Sequence, residues 1–383
     1  MLSQRLDPTT VDKRSALRRA VIRSASAAIL EEAPLSLLDP RGMIFDRSPS
    51  GTLTLRVRGT GSSSVLVQES GSNTSLDLMG ARWEVFPIQE DDGLPGRRLL
   101  RNGAEGLQDL VALPGPLNCS IVTHRLGRRA VIRVCTADFK TTRYVKLLNT
   151  KAYRKAINVF SSLEGPVTHL VVQPRTADKQ NAALVFDEVQ GSSLHDRLWA
   201  GDAVYLKSLA RSLSVFASVP PLAASRLRDI ESERASALRA LSDSETLHTE
   251  FSELQEALGE LSPFELPGSA LLHGDLHDKQ VFLHGSAVRF IDAEGIAQGS
   301  PLIDIVNLAE HLRLRDRQGC VGAASLAIRL EAATGLDSRD PTIRVLRAVT
   351  RARLAGVYGR RPWWWDLAET LAVDAMSLLR EFR

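Results

Sequence analysis

The chain has 383 residues, 44% of them hydrophobic and 24% charged, a composition that supports a substantial core and more than one domain and excludes wholesale disorder. Its 48 basic and 45 acidic residues leave a formal net charge of +3, too near balance to point to nucleic acid or a membrane surface as a partner. Cys119, Cys135 and Cys320 lack zinc-ligand spacing and read as thiols of a reducing compartment, and no run of about 18 apolar residues or secretory core is present, so a cytoplasmic protein is expected.

In chain order, residues 11–32 (VDKRSALRRAVIRSASAAILEE) favour a helix with a basic, solvated face. Residues 51–68 alternate apolar and polar on both sides of Gly59 and Gly61, a β-hairpin pattern. A strand over 81–89 and a short helical run near 104–113 complete residues 1–110, an accessory region of mixed structure without assignable chemistry. From Asn118 onward, CSIVTHRLGRRAVIRVC reads as two strands about a basic turn at Gly127, and RYVKLL (143–148) as a third. A helix over 151–163 follows, and the apolar runs VTHLVVQP and ALVFDEV supply two more strands. These make a small sheet lobe over residues 111–190. After Gly191 the period changes to helical, over 202–219, 227–241 and 246–260. Residues 301 to the end are helical again, with a break at RRPWWWD. The expected fold is α+β: a β-rich lobe, then a mostly helical lobe over 191–383, with a cleft invited at their junction.

The chemistry concentrates in His273-Gly274-Asp275-Leu276-His277-Asp278-Lys279-Gln280 and in Arg289-Phe290-Ile291-Asp292-Ala293-Glu294. The intervening VFLHGSAVRFID alternates around His284, Gly285 and Ser286 as a hairpin does. Such a hairpin brings Gln280 and Asp292 together at adjacent strand ends, with Asp275 on the loop just before them. Phosphoryl transfer asks for Mg²⁺ on the phosphate oxygens, a cation beside them and a group that positions the nucleophile. Asp292 offers a hard anionic oxygen, Gln280 an amide carbonyl, and Asp275 an acceptor for a substrate hydroxyl. Lys146, mid-strand, is the natural phosphate cation, although a solvent-facing strand lysine has the same local pattern.

HGDLHDKQ, RFIDAEG and GSPLID together resemble the aminoglycoside/choline kinase-like phosphotransferase family, a distant branch of the protein-kinase fold. The resemblance covers roughly residues 115–370 and implies a bilobal protein-kinase-like fold, ATP and Mg²⁺ as cosubstrate and metal, and a small-molecule acceptor. Carried over by position, it implies that Asp275 is the catalytic aspartate, Asp292 the main magnesium ligand and Gln280 the second metal position. It further implies that Asp304 braces the catalytic loop and that His273 supports it. Lys146 looks like the small-lobe lysine that contacts nucleotide phosphates, and VFDEVQGSSL resembles the hinge, with Glu188 and Val189 meeting adenine through their backbone.

Three departures stand out. Gln280 replaces the family's asparagine, the helix after Lys146 has no central glutamate (Glu164 lies near its end), and HRLGRR has one glycine where a glycine-rich loop is usual. Arg128 and Arg129 read as exposed turn residues or as phosphate contacts, and His277 and Asp278 as facing substrate or solvent. Trp363, Trp364 and Trp365 read as packing material ahead of a ligand-stacking wall. The expected activity is transfer of the γ-phosphoryl group of ATP to a hydroxyl of a sugar, aminoglycoside or amino alcohol. Arg351, Arg353, Arg360 and Arg361 favour a neutral or anionic acceptor. The departures support the alternative of a nucleotide-binding pseudokinase, and the immediate arrival of GSPLID after Asp292 disfavours a protein kinase.

Overall fold

A computed structural model describes residues 38–47, 53–59, 63–68, 83–86, 88–101, 103–220, 222, 226–244, 251–262 and 264–382. The helix expected over 11–32 lies outside the described residues. The chain divides into two compact units. One comprises the chain up to Thr150 with Asp178–Val185 and Gly359–Trp365; the other comprises Lys151–Ala177, Phe186–Tyr358 and the chain from Asp366.

The first unit is built on sheets. Strands β1 (Leu38–Arg47), β2 (Leu53–Gly59), β3 (Ser63–Gln68) and β4 (Trp83–Phe86) form an antiparallel four-stranded sheet in sequence order, which includes the hairpin expected at 51–68. A second sheet, whose strands β5, β6 and β7 lie wholly in this unit, has the order β5-β6-β7-β9-β8, from Leu117–Arg125, Arg129–Thr136, Thr142–Leu148, Ala183–Asp187 and Thr176–Asp178. Strand β6 alternates as a one-face-buried strand must, burying Ala130, Ile132 and Val134. Against them pack Leu94, Leu100, Leu107 and Val111, from 3-10 turns and the four-residue helix α1 (Gln108–Val111). Residues on both sides of position 110 therefore share one core, and each fully buried side chain of this kind contributes about 2 kcal/mol.

A polar clamp fixes the turn between β5 and β6. Asp91, 2% exposed, accepts hydrogen bonds from Gly127 N (2.9 Å) and Gly93 N (3.1 Å), and its Oδ2 lies 2.7 Å from Nε2 of buried His124. Gly93 approaches so closely that a Cβ there would sit 2.5 Å from Gly127 Cα.

The second unit is mostly helical. Its helices are α2 (Thr150–Ser162, of which Thr150 closes the first unit), α3 (Leu194–Ala200), α4 (Leu206–Ser218), α5 (Ile230–Ser242) and α6 (Ser252–Gly259), then α7 (Leu302–Arg317), α8 (Ala323–Ala333), α9 (Pro341–Gly359) and α10 (Trp365–Arg380). Helix α5 starts on a capping box, in which Asp229 accepts from Ser232 N and Ser232 Oγ accepts from Asp229 N. Helix α3 starts at Ser193, whose hydroxyl accepts from Asp196 N, and ends at Gly201 in the left-handed region. Two three-stranded sheets interrupt the helices: β10 (Ser192–Ser193) with β13 (Val281–His284) and β14 (Ala287–Phe290), and β11 (Arg226–Arg228) with β15 (Ala297–Gly299) and β12 (Ala270–Leu272). Helix α7 is the centre of this unit, with twelve of its residues from Ile303 to Arg315 buried on all sides.

One expected strand is absent. VTHLVVQP forms a 3-10 turn at Gly165–His169 opened by Pro166, and only Val171 makes a bridge, to Phe290. Val167 and Val171 bury their side chains there without a ladder, because Pro166 pre-sets the helical φ at the second position of the turn. Among the described residues no helix is long and apolar enough to cross a membrane.

Asp91→Ala leaves buried His124 and the half-buried Gly127 amide without their acceptor and is expected to cost about 2 kcal/mol. Urea unfolding of the full chain checks this through a lowered midpoint; an unchanged midpoint would show that the clamp carries no stability.

Candidate active site

The segment His273–Gln280 links β12 to β13, and its geometry follows from what each residue is bonded to. The Asp304 carboxylate, in the first turn of α7, accepts from His273 N (2.6 Å, Oδ2) and Gly274 N (3.0 Å, Oδ1). Burial pushes this carboxyl up, while His273 and the two amides pull it back toward ionisation. His273 is itself 1% exposed and donates from Nε2 to the Ile291 carbonyl (2.8 Å), which ties the loop to the strand end before Asp292. Gly274 has φ +83°, and a Cβ there would stand 2.5 Å from the Gly295 carbonyl oxygen; both facts require glycine.

Two further side chains on the same face of α7 hold the rest of the loop. Asn307 Nδ2 donates to the Leu276 carbonyl (2.7 Å). Arg315 grips Asp278 with two hydrogen bonds, of 2.8 and 3.0 Å, and also reaches the Tyr358 hydroxyl. Asp278 is completely buried and takes a third bond from His195 Nδ1 (2.6 Å) of α3. Burial alone would raise its carboxyl; His195 and Arg315 overturn this and hold it well below the usual range. Asp278 is therefore a brace rather than a residue facing substrate or solvent.

Asp275 differs from its neighbours. Its side chain is 55% exposed between buried Gly274 and Leu276, and Arg353 Nη1 lies 3.8 Å from its Oδ1. His277, half-buried, stacks on His311 of α7 with ring centroids 5.0 Å apart. Burial holds His277 below the usual imidazole range against the pull of Asp275 and Asp278. Burial, with His277 and Arg315 adding to it, holds His311 well below that range. Both rings are neutral at pH 7.

The hairpin β13–β14 pairs Val281 with Phe290, and Ile291 N donates to the Gln280 carbonyl (3.0 Å). Gln280 and Asp292 thus flank one end of the same ladder. Gln280 is 4% exposed, and its side-chain Oε1 is buried without a hydrogen-bond partner. Asp292 is half-buried in the left-handed region (φ 59°, ψ 34°), a conformation costly for most residues and best tolerated by Asp and Asn. An orphaned buried amide oxygen on a residue that shares a ladder end with an aspartate suits a hard divalent cation. Among the described residues no group of three or more His, Cys, Asp or Glu side chains could hold a metal ion.

The remaining expected residues belong to other segments of the chain. Lys146 sits in the middle of β7 opposite Val131, 3% exposed, so it does not face solvent. Glu188, exposed, and Val189, half-buried, follow the end of β9. Trp365 is 4% exposed and packs, while Trp363 and Trp364 are half-buried. Sequence reasoning used Asp304 alone and missed Asn307, His311 and Arg315. Their offsets of three, seven and eleven residues from Asp304 put all four on one face of the helix, a signal legible in the sequence.

No protein-family model matches the chain, and no curated protein matches it in sequence. Among solved structures, a thermostable mutant of aminoglycoside phosphotransferase APH(4)-Ia in its apo form matches with a TM-score of 0.50 at 13% identity, over 72% of this chain and 97% of that one. The fold is that of the aminoglycoside phosphotransferases. Its α+β, protein-kinase-like class is the one expected from the sequence. Aminoglycoside phosphotransferase APH(3'')-Id from Streptomyces rimosus ATCC10970 also matches (TM-score 0.48, 18% identity, 66% of this chain and 96% of that one). So does choline kinase LicA from Streptococcus pneumoniae (TM-score 0.48, 11% identity, 74% and 99%). At 13% identity the first of these likenesses establishes fold alone and leaves the acceptor open.

The two neutral imidazoles generate a pH dependence. A histidine depressed in the folded state contributes stability above its unfolded pKa of about 6.5, and that stability is lost as pH falls from there toward the folded value. Asp278, also depressed, loses its contribution only below about pH 4, while Asp304, raised, acts with the opposite sign. Unfolding free energy measured from pH 7 to 5 is expected to fall, and His311→Gln to flatten the fall. Identical slopes in wild type and variant would exclude His311 as a source.

Proposed function

We propose that this chain is a magnesium-dependent phosphotransferase that moves the γ-phosphoryl group of ATP to a hydroxyl of a small molecule. The observation that carries the reading is the contrast within one loop. His273 and Asp278 are buried and hydrogen-bonded, and Asp275 alone among the acidic residues of the loop is held out to solvent by them. A rigidly supported, exposed carboxylate is what positioning a nucleophile demands. The aminoglycoside phosphotransferase fold supports the same reading.

In this reading Asp275 accepts a hydrogen bond from the acceptor hydroxyl and aims its oxygen at the γ-phosphorus. The new oxygen–phosphorus bond forms as the bond to the β–γ bridging oxygen breaks, ADP departs, and the hydroxyl proton passes by way of Asp275 to solvent. Asp292 and Gln280 would hold Mg²⁺, which would neutralise charge on the phosphate oxygens. Lys146 supplies a fixed cation to the phosphates, and the backbone of Glu188 and Val189 serves the adenine edge. Gln280 carries one methylene more than asparagine, and its burial keeps the longer arm in one place.

A catalytically weak nucleotide-binding scaffold is the second reading, favoured by one observation. Helix α2 reads TKAYRKAINVFSS and contains no acidic residue to pair with a lysine.

Coupled ADP release with Mg²⁺–ATP and a panel of sugars, sugar acids, amino alcohols and aminoglycosides separates the two. Acceptor-dependent turnover is expected, reduced about a thousandfold or more in Asp275→Asn and Asp292→Asn, with Mg²⁺–ATP binding retained in Asp275→Asn. Binding of Mg²⁺–ATP without turnover of any acceptor supports the scaffold, and absence of nucleotide binding rules out both.

A further inference from the structure

If the chain is the phosphotransferase proposed above, the surroundings of Asp275 bear on the chemistry of its acceptor. Arg353, on α9, is the cation beside it. Its Nη1 lies 3.8 Å from Asp275 Oδ1, and its Nη2 donates to Asn307 Oδ1, while the other end of the Asn307 amide holds the Leu276 carbonyl. The guanidinium is therefore fixed to the loop that carries Asp275, and it is 15% exposed. It also lies close enough to depress His311, whose ring nitrogens are both buried without hydrogen-bond partners.

Several carboxylates of the neighbouring helices are engaged by arginines. Glu310, 2% exposed, takes hydrogen bonds from Arg313 (3.0 Å) and Arg351 (2.7 Å). Glu331 is held by Arg313 and Arg347, and Asp374 by Arg317. Asp278 belongs to Arg315 and Asp304 to backbone amides. On the loop itself Asp275 is the exposed carboxylate, and a guanidinium stands next to it. A polycationic acceptor needs several free carboxylates, and here it would meet a fixed positive charge. An acceptor with its own negative group meets a planar donor fork suited to carboxylate or phosphate oxygens.

We propose that Arg353 is the specificity-determining residue of this site and that it selects an acceptor bearing an anionic oxygen group, carboxylate or phosphate ester, near the hydroxyl that is phosphorylated. Cationic acceptors such as aminoglycosides and choline-like amino alcohols are discriminated against by the same charge.

The test compares acceptors on one skeleton that differ in charge: glucose, gluconate, glucose 6-phosphate and glucosamine. Each is measured for kcat and KM, and for binding to the ADP–Mg²⁺ complex by calorimetry, with wild type, Arg353→Gln and Arg353→Lys. Wild type is expected to favour an anionic acceptor over its neutral counterpart by about ten- to a hundredfold, the span of one hydrogen bond to a charged group, and glucosamine least. Arg353→Gln is expected to bring that ratio close to one through KM, and Arg353→Lys to restore part of it. Comparison of gluconate with glucose 6-phosphate tells carboxylate from phosphate.

The proposed selectivity is overturned if wild type handles glucosamine or an aminoglycoside as well as the anions. It is equally overturned if Arg353→Gln slows all acceptors in proportion, which marks a purely positioning role, or if neither turnover nor binding depends on acceptor charge. Failure of the phosphotransferase reading shows separately, as a wild type that does not bind Mg²⁺–ATP, and removes the selectivity with it.

Discussion

The candidate site depends on one carboxylate. Asp304 stands in the first turn of α7 and accepts the amide hydrogens of His273 and Gly274, two successive backbone groups that face inward because Gly274 adopts a positive φ. Without an acceptor there, both amides would be buried and unsatisfied, at about 1–3 kcal/mol each. Their pairing sets the direction in which the chain leaves β12, and so where Asp275 stands. The His273 side chain carries the same constraint to the Ile291 carbonyl and hence to the hairpin end that bears Asp292.

Helix α7 extends this control along its length. An apolar central helix would pack at least as well, so the four polar residues on one of its faces need a reason. Each has a partner on or beside the loop: Asp304 the two amides, Asn307 the Leu276 carbonyl, His311 the stacked His277 ring, and Arg315 the Asp278 carboxylate. Buried ion pairs such as Arg315–Asp278 add little net stability over apolar packing, yet removing one partner costs about 3–5 kcal/mol. They penalise alternative arrangements of the loop rather than deepen the native well. The Glu310 and Glu331 arginine network does the same for α7, α8 and α9.

The two units use polar braces in parallel ways. In the sheet unit, Asp91 holds the β5–β6 turn by the Gly127 amide, and His124 completes the carboxylate's shell. In both units a buried carboxylate accepts backbone amides next to a glycine that permits close approach, Gly93 in one and Gly274 in the other. Such pairs are long-range in sequence: Asp91 reaches thirty-six residues forward to Gly127, and Asp304 thirty residues back to Gly274. Neither partner announces the other.

By itself the sequence determined the α+β class, the position of most strands and helices, and the hairpin that sets Gln280 beside Asp292, because alternation of period two and turn chemistry are local properties. It also marked Asp275, Asp292 and Asp304 through a short, dense motif. Local pattern misled at VTHLVVQP, where an apolar run buries its side chains from a 3-10 turn instead of a strand. Only the tertiary structure decided which polar residues are braces and which are exposed. His277, Asp278 and Asp275 lie within four positions of one another, and burial alone separates a stacked neutral ring, a fully enclosed carboxylate and an exposed one. The arginines of α9 look alike in the sequence, yet Arg347 and Arg351 are paired with Glu331 and Glu310 while Arg353 faces Asp275. That difference is set by which helix lies opposite each turn, a fact of packing between segments distant in the chain.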